Sequence, residues 1–220
     1  VNEVKNFWDL EIHQNIYADS DMHEANLLSL DNSKIKSQTS WRPNWDFKKT
    51  IEITLRTSAA LSAIEHLAKN LPEIHVGAGT ILTKEHAREA QNSGAKFCVS
   101  PGFTPSIINA CYECNIPLLP GASTVSEMLT LSEAGFSEIK FFPASAAGGI
   151  KFIKSLASPL PNLKFCPTGG IFYETAQEWL SLVNVICVGG SWIAPAKDIN
   201  DNNFTDITNR AKQATKLVKY

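Results

Sequence analysis

Charged side chains are uncommon inside runs of β-type apolar residues, yet two such runs in this chain carry them. Lys140 stands in Ile139-Lys140-Phe141-Phe142-Pro143, and Glu52 and Arg56 stand in Ile51-Glu52-Ile53-Thr54-Leu55-Arg56. Side chains alternate along a strand, so Ile51, Ile53 and Leu55 share one face and Glu52, Thr54 and Arg56 the other. The same alternation points Lys140 and Phe142 one way, and Ile139 and Phe141 the other. Parallel strands are buried on both faces; the apolar faces then meet helices, and a carboxylate, a guanidinium and an amine share an interior. A structural ion-pair network is the plain reading of any one of them. Three in a space that Val and Leu could fill call for a stronger reason, because unpaired buried charge is costly.

Catalysis supplies it. An amine desolvated among apolar groups and set near another cation gives up its proton more readily and becomes a nucleophile. Such a lysine attacks a ketone to form an imine, and the protonated imine stabilises a carbanion at the adjacent carbon. Carbon-carbon bond cleavage is then within reach. The proton transfers need a carboxyl group within hydrogen-bond reach, which Glu52 supplies, and Arg56 can hold a substrate carboxylate bidentately.

Those side chains need a scaffold. From residue 51 onward, short apolar runs alternate with amphipathic stretches at the length of βα units. Strands are expected at Ile51–Arg56, Ile74–Val76, Phe97–Ser100, Pro117–Leu119, Ile139–Phe142, Lys164–Cys166 and Val185–Val188. Ser58–Asn70 and Lys84–Ser93 have the period of crossover helices. Gly94 and Gly135 close helices, and Ser123 or Thr124 caps the one that begins near Val125. Even spacing without one dominant nucleotide fingerprint favours an α/β fold of the (β/α)8 TIM-barrel type over an open doubly wound sheet. One domain over residues 1–220 suffices. The eighth strand is expected before residue 50, although residues 1–50 are polar and hold no Val/Ile/Leu run of the barrel-lining kind.

The loops that follow the strands lie at the mouth where barrel active sites sit. They read Gly77-Ala78-Gly79-Thr80, Ser100-Pro101-Gly102, Pro120-Gly121-Ala122-Ser123-Thr124, Pro143-Ala144, Pro167-Thr168-Gly169-Gly170 and Gly189-Gly190-Ser191-Trp192. The last two follow strands seven and eight, the usual place of a phosphate site. Backbone N–H groups of Gly169, Gly170 and Gly190, with the Ser191 hydroxyl, suit a dianion.

Composition narrows the class further. The chain is 44% hydrophobic and 19% charged, as in ordinary globular proteins. A net charge of −2 without a basic block gives no nucleic-acid footprint, and no apolar run reaches membrane-spanning length. Five irregularly spaced cysteines and the lack of a signal-like N-terminus point to a reducing, cytoplasmic setting. A small molecule is the expected partner, with neither nucleic acid nor membrane.

These motifs resemble the family of 2-keto-3-deoxy-6-phosphogluconate aldolase and 4-hydroxy-2-oxoglutarate aldolase. The resemblance runs over roughly residues 51–200, through Glu52-Ile53-Thr54-Leu55-Arg56-Thr57, Val76-Gly77-Ala78-Gly79-Thr80, Ser100-Pro101-Gly102, Lys140-Phe141-Phe142-Pro143-Ala144, Phe165-Cys166-Pro167-Thr168-Gly169-Gly170 and Gly189-Gly190-Ser191-Trp192. It implies Lys140 as the imine-forming lysine and Glu52 as general acid/base. Arg56 and Thr80 would hold the pyruvate carboxylate, Phe142 would wall the site and Pro101 would shape its rim. Gly169, Gly170, Gly190 and Ser191 would meet the phosphate. It further implies cleavage to pyruvate and glyceraldehyde 3-phosphate, no metal or organic cofactor, and a homotrimer. Residues 1–50 depart from the pattern, since the family's apolar first strand and the Gly-containing turn before the Glu-bearing strand are not recognisable there.

Other features read as structure. Cys111-Tyr112-Glu113-Cys114 has redox or zinc spacing but lies at a helix end without a second pair. No two of the histidines have H-x-x-x-H spacing. Trp179 falls at core period with Leu182 and Val183, and Trp192 is placed ambiguously after its Gly-Gly loop. Two other functions fit the loops: a phosphosugar isomerase or decarboxylase on the same barrel, and a non-catalytic binder of a phosphorylated ligand.

Overall fold

The computed structural model describes residues 50–217. In chain order the elements are β1 Thr50–Thr54, α1 Ala60–Asn70, β2 His75–Gly79, α2 Lys84–Asn92, β3 Phe97–Val99, α3 Pro105–Glu113, β4 Leu118–Leu119, β5 Gly121–Ala122, α4 Val125–Glu133, β6 Glu138–Phe141, α5 Gly149–Ser155, β7 Lys164–Pro167, α6 Tyr173–Ser181, α7 Ala196–Asn200 and α8 Phe204–Ala214. All pairings are parallel, in the order β1-β2-β3-β4 and β5-β6-β7. The βα alternation expected from the sequence is therefore present, with strand and helix ends within a few residues of expectation.

Two strands differ from the sequence reading. The strand expected at Pro117–Leu119 continues past Pro120 and is divided by it into β4 and β5, because proline has no N–H to donate to the ladder. The Pro120 carbonyl still accepts from Lys140 N at 2.9 Å, so the two pieces carry one continuous wall. The strand expected at Val185–Val188 is reduced to isolated bridges, Phe165↔Val185 and Thr168↔Gly189. Among the described residues this segment has a strand neighbour only on the β7 side, and β1 only on the β2 side. The ring is thus open between them in the described region. The expected eighth strand and the turn at Trp41-Arg42-Pro43-Asn44-Trp45 lie outside the described residues.

The outward faces follow the alternation. Ile51 and Ile53 of β1 pack with Val76 and Ala78 of β2 and with Ile64 and Leu67 of α1. Ile139 and Phe141 of β6 pack with Phe165, Ile153 and Trp179, and the Phe141 ring stacks on Phe152 at 5.5 Å. Each fully buried large apolar side chain contributes about 1.5–3 kcal/mol, so these layers hold the strands in register. Helix ends are set by local chemistry. Thr83 and Thr104 accept the first free N–H groups of α2 and α3, and Thr124 and Glu127 form a reciprocal capping box on α4. Gly94 and Gly135, both at positive φ, follow α2 and α4 as expected.

Candidate active site

The inward faces are where the polar residues collect. Glu52 is 1% exposed and Lys140 6% exposed. They stand on strands from opposite halves of the wall, and the two charges interact across the interior. Neither carboxyl oxygen of Glu52 has a hydrogen-bond partner among the described residues. Burial pushes this carboxyl above the usual carboxylate range, against the opposing attraction of Lys140 and then of Arg56.

Two glycines of β2 make the space. Gly77 and Gly79 stand beside Glu52 and Thr54 in the register. A side chain at Gly79 would overlap the Glu52 carboxyl, and one at Gly77 would overlap the Phe97 ring. The glycines expected to admit a ligand thus first admit the acid itself.

Lys140 has Gly121 and Cys166 as register partners on either side. Its Nζ lies 5.2 Å from the centroid of the Phe142 ring, within range of an attractive cation–π contact. Cys166, Ile186 and Cys187, with Leu119, form a small apolar cluster apart from the two large cores. This gives the lysine a dry neighbour, and Thr168, 7% exposed, stands two residues beyond Cys166.

Arg56 is placed differently from expectation. β1 ends at Thr54, and Arg56 lies beyond it as an exposed residue, so it belongs to the rim and not to the closed interior. The reason is that the turn toward α1 begins at Leu55, where strand alternation ceases. Its Nε donates to Thr80 Oγ1 at 3.3 Å, which joins the ends of β1 and β2 as a polar pair. Pro101 is half-buried on the neighbouring loop.

The loops after β7 and the 185–189 segment form another part of the mouth. Gly169 and Gly170 adopt φ of 99° and 71°, conformations that favour glycine. Gly170 and Ser191 are exposed and Gly169 half-buried, whereas Gly190 is buried with the Trp192 ring lying over it. Trp179 is core at 3% exposed. All five cysteines are free, Cys111 buried in α3 and Cys114 at its end. Among the described residues no cluster of His, Cys, Asp and Glu could hold a metal ion.

Sequence reading missed Cys166, Thr168 and Ser145. The first two were legible, since strand alternation carried from β7 to the residue just past its end places Cys166 and Thr168 on one face. Ser145 was not, because it follows β6 in an irregular turn and its partner, Gly170, lies far along the chain.

Parallel βα units that bury a lysine and an unpartnered carboxyl on their inner wall are the layout of a (β/α)8-barrel enzyme, the ring being open among the described residues. Comparison narrows this. The family model for KDPG and KHG aldolase matches residues 47–210, and the chain belongs to that family. It is 43% identical over 171 residues to the KHG/KDPG aldolase of Escherichia coli K12, covering 78% of this chain and 80% of that protein. A solved KDPG aldolase of Legionella pneumophila, with pyruvate captured as a covalent carbinolamine intermediate, is 42% identical, with a TM-score of 0.72 over 74% of this chain and 79% of that one. The Zymomonas mobilis enzyme with 3-phosphoglycerate is 38% identical, with a TM-score of 0.72 over 78% and 80%.

Proposed function

We propose that this chain is a class I aldolase that cleaves 2-keto-3-deoxy-6-phosphogluconate to pyruvate and glyceraldehyde 3-phosphate, and 4-hydroxy-2-oxoglutarate by the same route. The observation that carries the reading is the joint burial of Lys140 and Glu52 on the inner wall. The related enzymes named KHG/KDPG aldolase, and the one holding pyruvate as a carbinolamine, support it.

The chemistry follows from the groups present. The neutral Lys140 amine attacks the C2 carbonyl to give a carbinolamine; Glu52 gives its proton to the carbinolamine hydroxyl, which leaves as water and yields a protonated imine. The C3–C4 bond breaks with its electron pair entering the imine to form an enamine, while the C4 hydroxyl loses its proton and becomes the aldehyde. Glu52 takes that proton and later returns one to C3; hydrolysis of the imine releases pyruvate and the free lysine. Burial raises the proton affinity of this carboxyl, which suits it to hold and return a proton in both steps. The Phe142 face supports the cationic imine. Arg56 and Thr80 hold the C1 carboxylate at the rim, and Pro101 bounds it. Gly169, Gly170, Gly190 and Ser191 hold the phosphate. The imine is itself the electron sink, so the reaction as proposed calls for no metal or organic cofactor.

The reading extends to a cytoplasmic homotrimer built from one barrel domain over residues 1–220, with residues 1–50 its least family-like part. Five free thiols support a reducing compartment. Among the described residues no helix is long and apolar enough to cross a membrane. Borohydride reduction in the presence of pyruvate tests the centre of the proposal. One peptide, that containing Lys140, gains the mass of reduced pyruvate, and Lys140→Met removes both the label and turnover. Labelling elsewhere, or none on folded protein, sinks it in favour of an isomerase, a decarboxylase or a non-catalytic binder.

A further inference from the structure

The turn after β6 and the turn after β7 are fastened together by three successive carbonyls. Thr168 O accepts from Ala144 N at 2.8 Å and Gly169 O from Ser145 N at 3.1 Å. Gly170 O accepts from the Ser145 hydroxyl at 2.7 Å. A trans peptide places its C=O and N–H on opposite sides of the chain. Each carbonyl drawn toward residues 144–145 therefore turns the N–H of Gly169, Gly170 and Ile171 away from those residues. The Gly169 N–H is taken up by Gly189 in the Thr168↔Gly189 bridge, whereas among the described residues the Gly170 and Ile171 N–H groups have no backbone acceptor. Successive free N–H groups of this kind form a cradle for an anion.

Two of the three fastenings use backbone donors and survive any substitution that keeps the fold. The third depends on one side chain. Ser145 is exposed, so its hydroxyl contributes little to folding and is held for its geometry. Gly170 cannot carry a side chain without meeting it, because an added Cβ would stand 2.6 Å from the Ser145 oxygen. Ser145 also follows Lys140 by five residues on the same strand-turn segment. The lysine and the last phosphate-facing peptide are thereby held by one stretch of chain.

We propose that Ser145 is the positioning residue that sets the Gly170-Ile171 peptide for the phosphate, and so fixes the preference for phosphorylated over unphosphorylated acceptor aldehydes. This rests on the aldolase reading above. The test runs the reaction in the condensation direction, with pyruvate and either glyceraldehyde 3-phosphate or glyceraldehyde. Ser145→Ala raises KM for glyceraldehyde 3-phosphate about five-fold with kcat nearly unchanged, as expected for the loss of one neutral hydrogen bond. The glyceraldehyde reaction and the exchange of pyruvate methyl protons with solvent keep their wild-type rates. Ser145→Thr retains a hydroxyl and restores the KM. A wild-type preference for the phosphorylated aldehyde that survives intact in Ser145→Ala overturns the role of Ser145 alone, as does an equal loss with glyceraldehyde. Wild-type protein that treats the two aldehydes alike overturns the phosphate reading and the Ser145 role together.

Discussion

The Glu52 carboxyl occupies the space that any side chain on Gly79 would fill. The acid is thus positioned by an absence of atoms on the neighbouring strand, not by a hydrogen-bond partner among the described residues. Both residues face inward from β1 and β2, whose register places Thr54, not Glu52, directly beside Gly79. The carboxyl accordingly reaches along the strand toward the mouth.

Gly79→Ala tests that relationship. The added methyl displaces the carboxyl, and a misplacement near 1 Å lowers kcat by on the order of 100-fold. In a Glu52→Ala background the same change has little further effect, because the group it displaces is already gone. Steady-state kinetics of the four proteins in the cycle check this, and additive losses would place the role of Gly79 elsewhere.

Replacing Glu52 by Gln separates stability from activity. Burial raises the folded-state pKa of Glu52, and the folded protein therefore holds this proton more tightly than the unfolded chain. The contribution is fully favourable below the unfolded value, about 4.3, and is lost as pH rises through the folded pKa. Once pH has risen past the unfolded value, the raised folded pKa makes this group cost stability. Glu52→Gln cannot ionise and raises Tm at pH 7, while the difference closes below about pH 4. Turnover falls by about 10²–10⁴-fold. A Tm difference that grows on acidification would contradict the sign.

Phe142 is expected to act on the cationic imine. Its ring centroid is 5.2 Å from Lys140 Nζ, and a desolvated contact of this kind contributes about 0.5–2 kcal/mol. Phe142→Leu keeps an apolar wall but removes the ring, so the fraction trapped by borohydride at subsaturating pyruvate falls by roughly 2- to 30-fold. Phe142→Tyr retains most of it. Equal trapping in the Leu and Phe proteins would reduce Phe142 to a packing residue.

Much of this was legible because strand alternation is a local property. Ile51, Ile53, Ile139 and Phe141 declare the helix-facing side by their own types, and Glu52 and Lys140 are conspicuous where apolar residues are expected. Arg56 was misplaced by the same rule, since nothing local announces that β1 ends at Thr54. The 185–188 segment reads as a full strand by residue type, yet among the described residues this part of the wall forms only the bridges Phe165↔Val185 and Thr168↔Gly189.

The amino-acid sequence by itself determined the βα rhythm, the inward direction of Glu52 and Lys140, and the glycine-rich turns, because each depends on residue type and short-range period. Tertiary structure alone decided that Gly79 yields its space to Glu52, that Arg56 stands at the rim bonded to Thr80, and that Ser145 fastens Gly170. Those pairs lie 27, 24 and 25 residues apart along the chain, and each forms because adjacent parallel strands bring successive turns to the same end of the barrel. No local pattern encodes which atoms then meet.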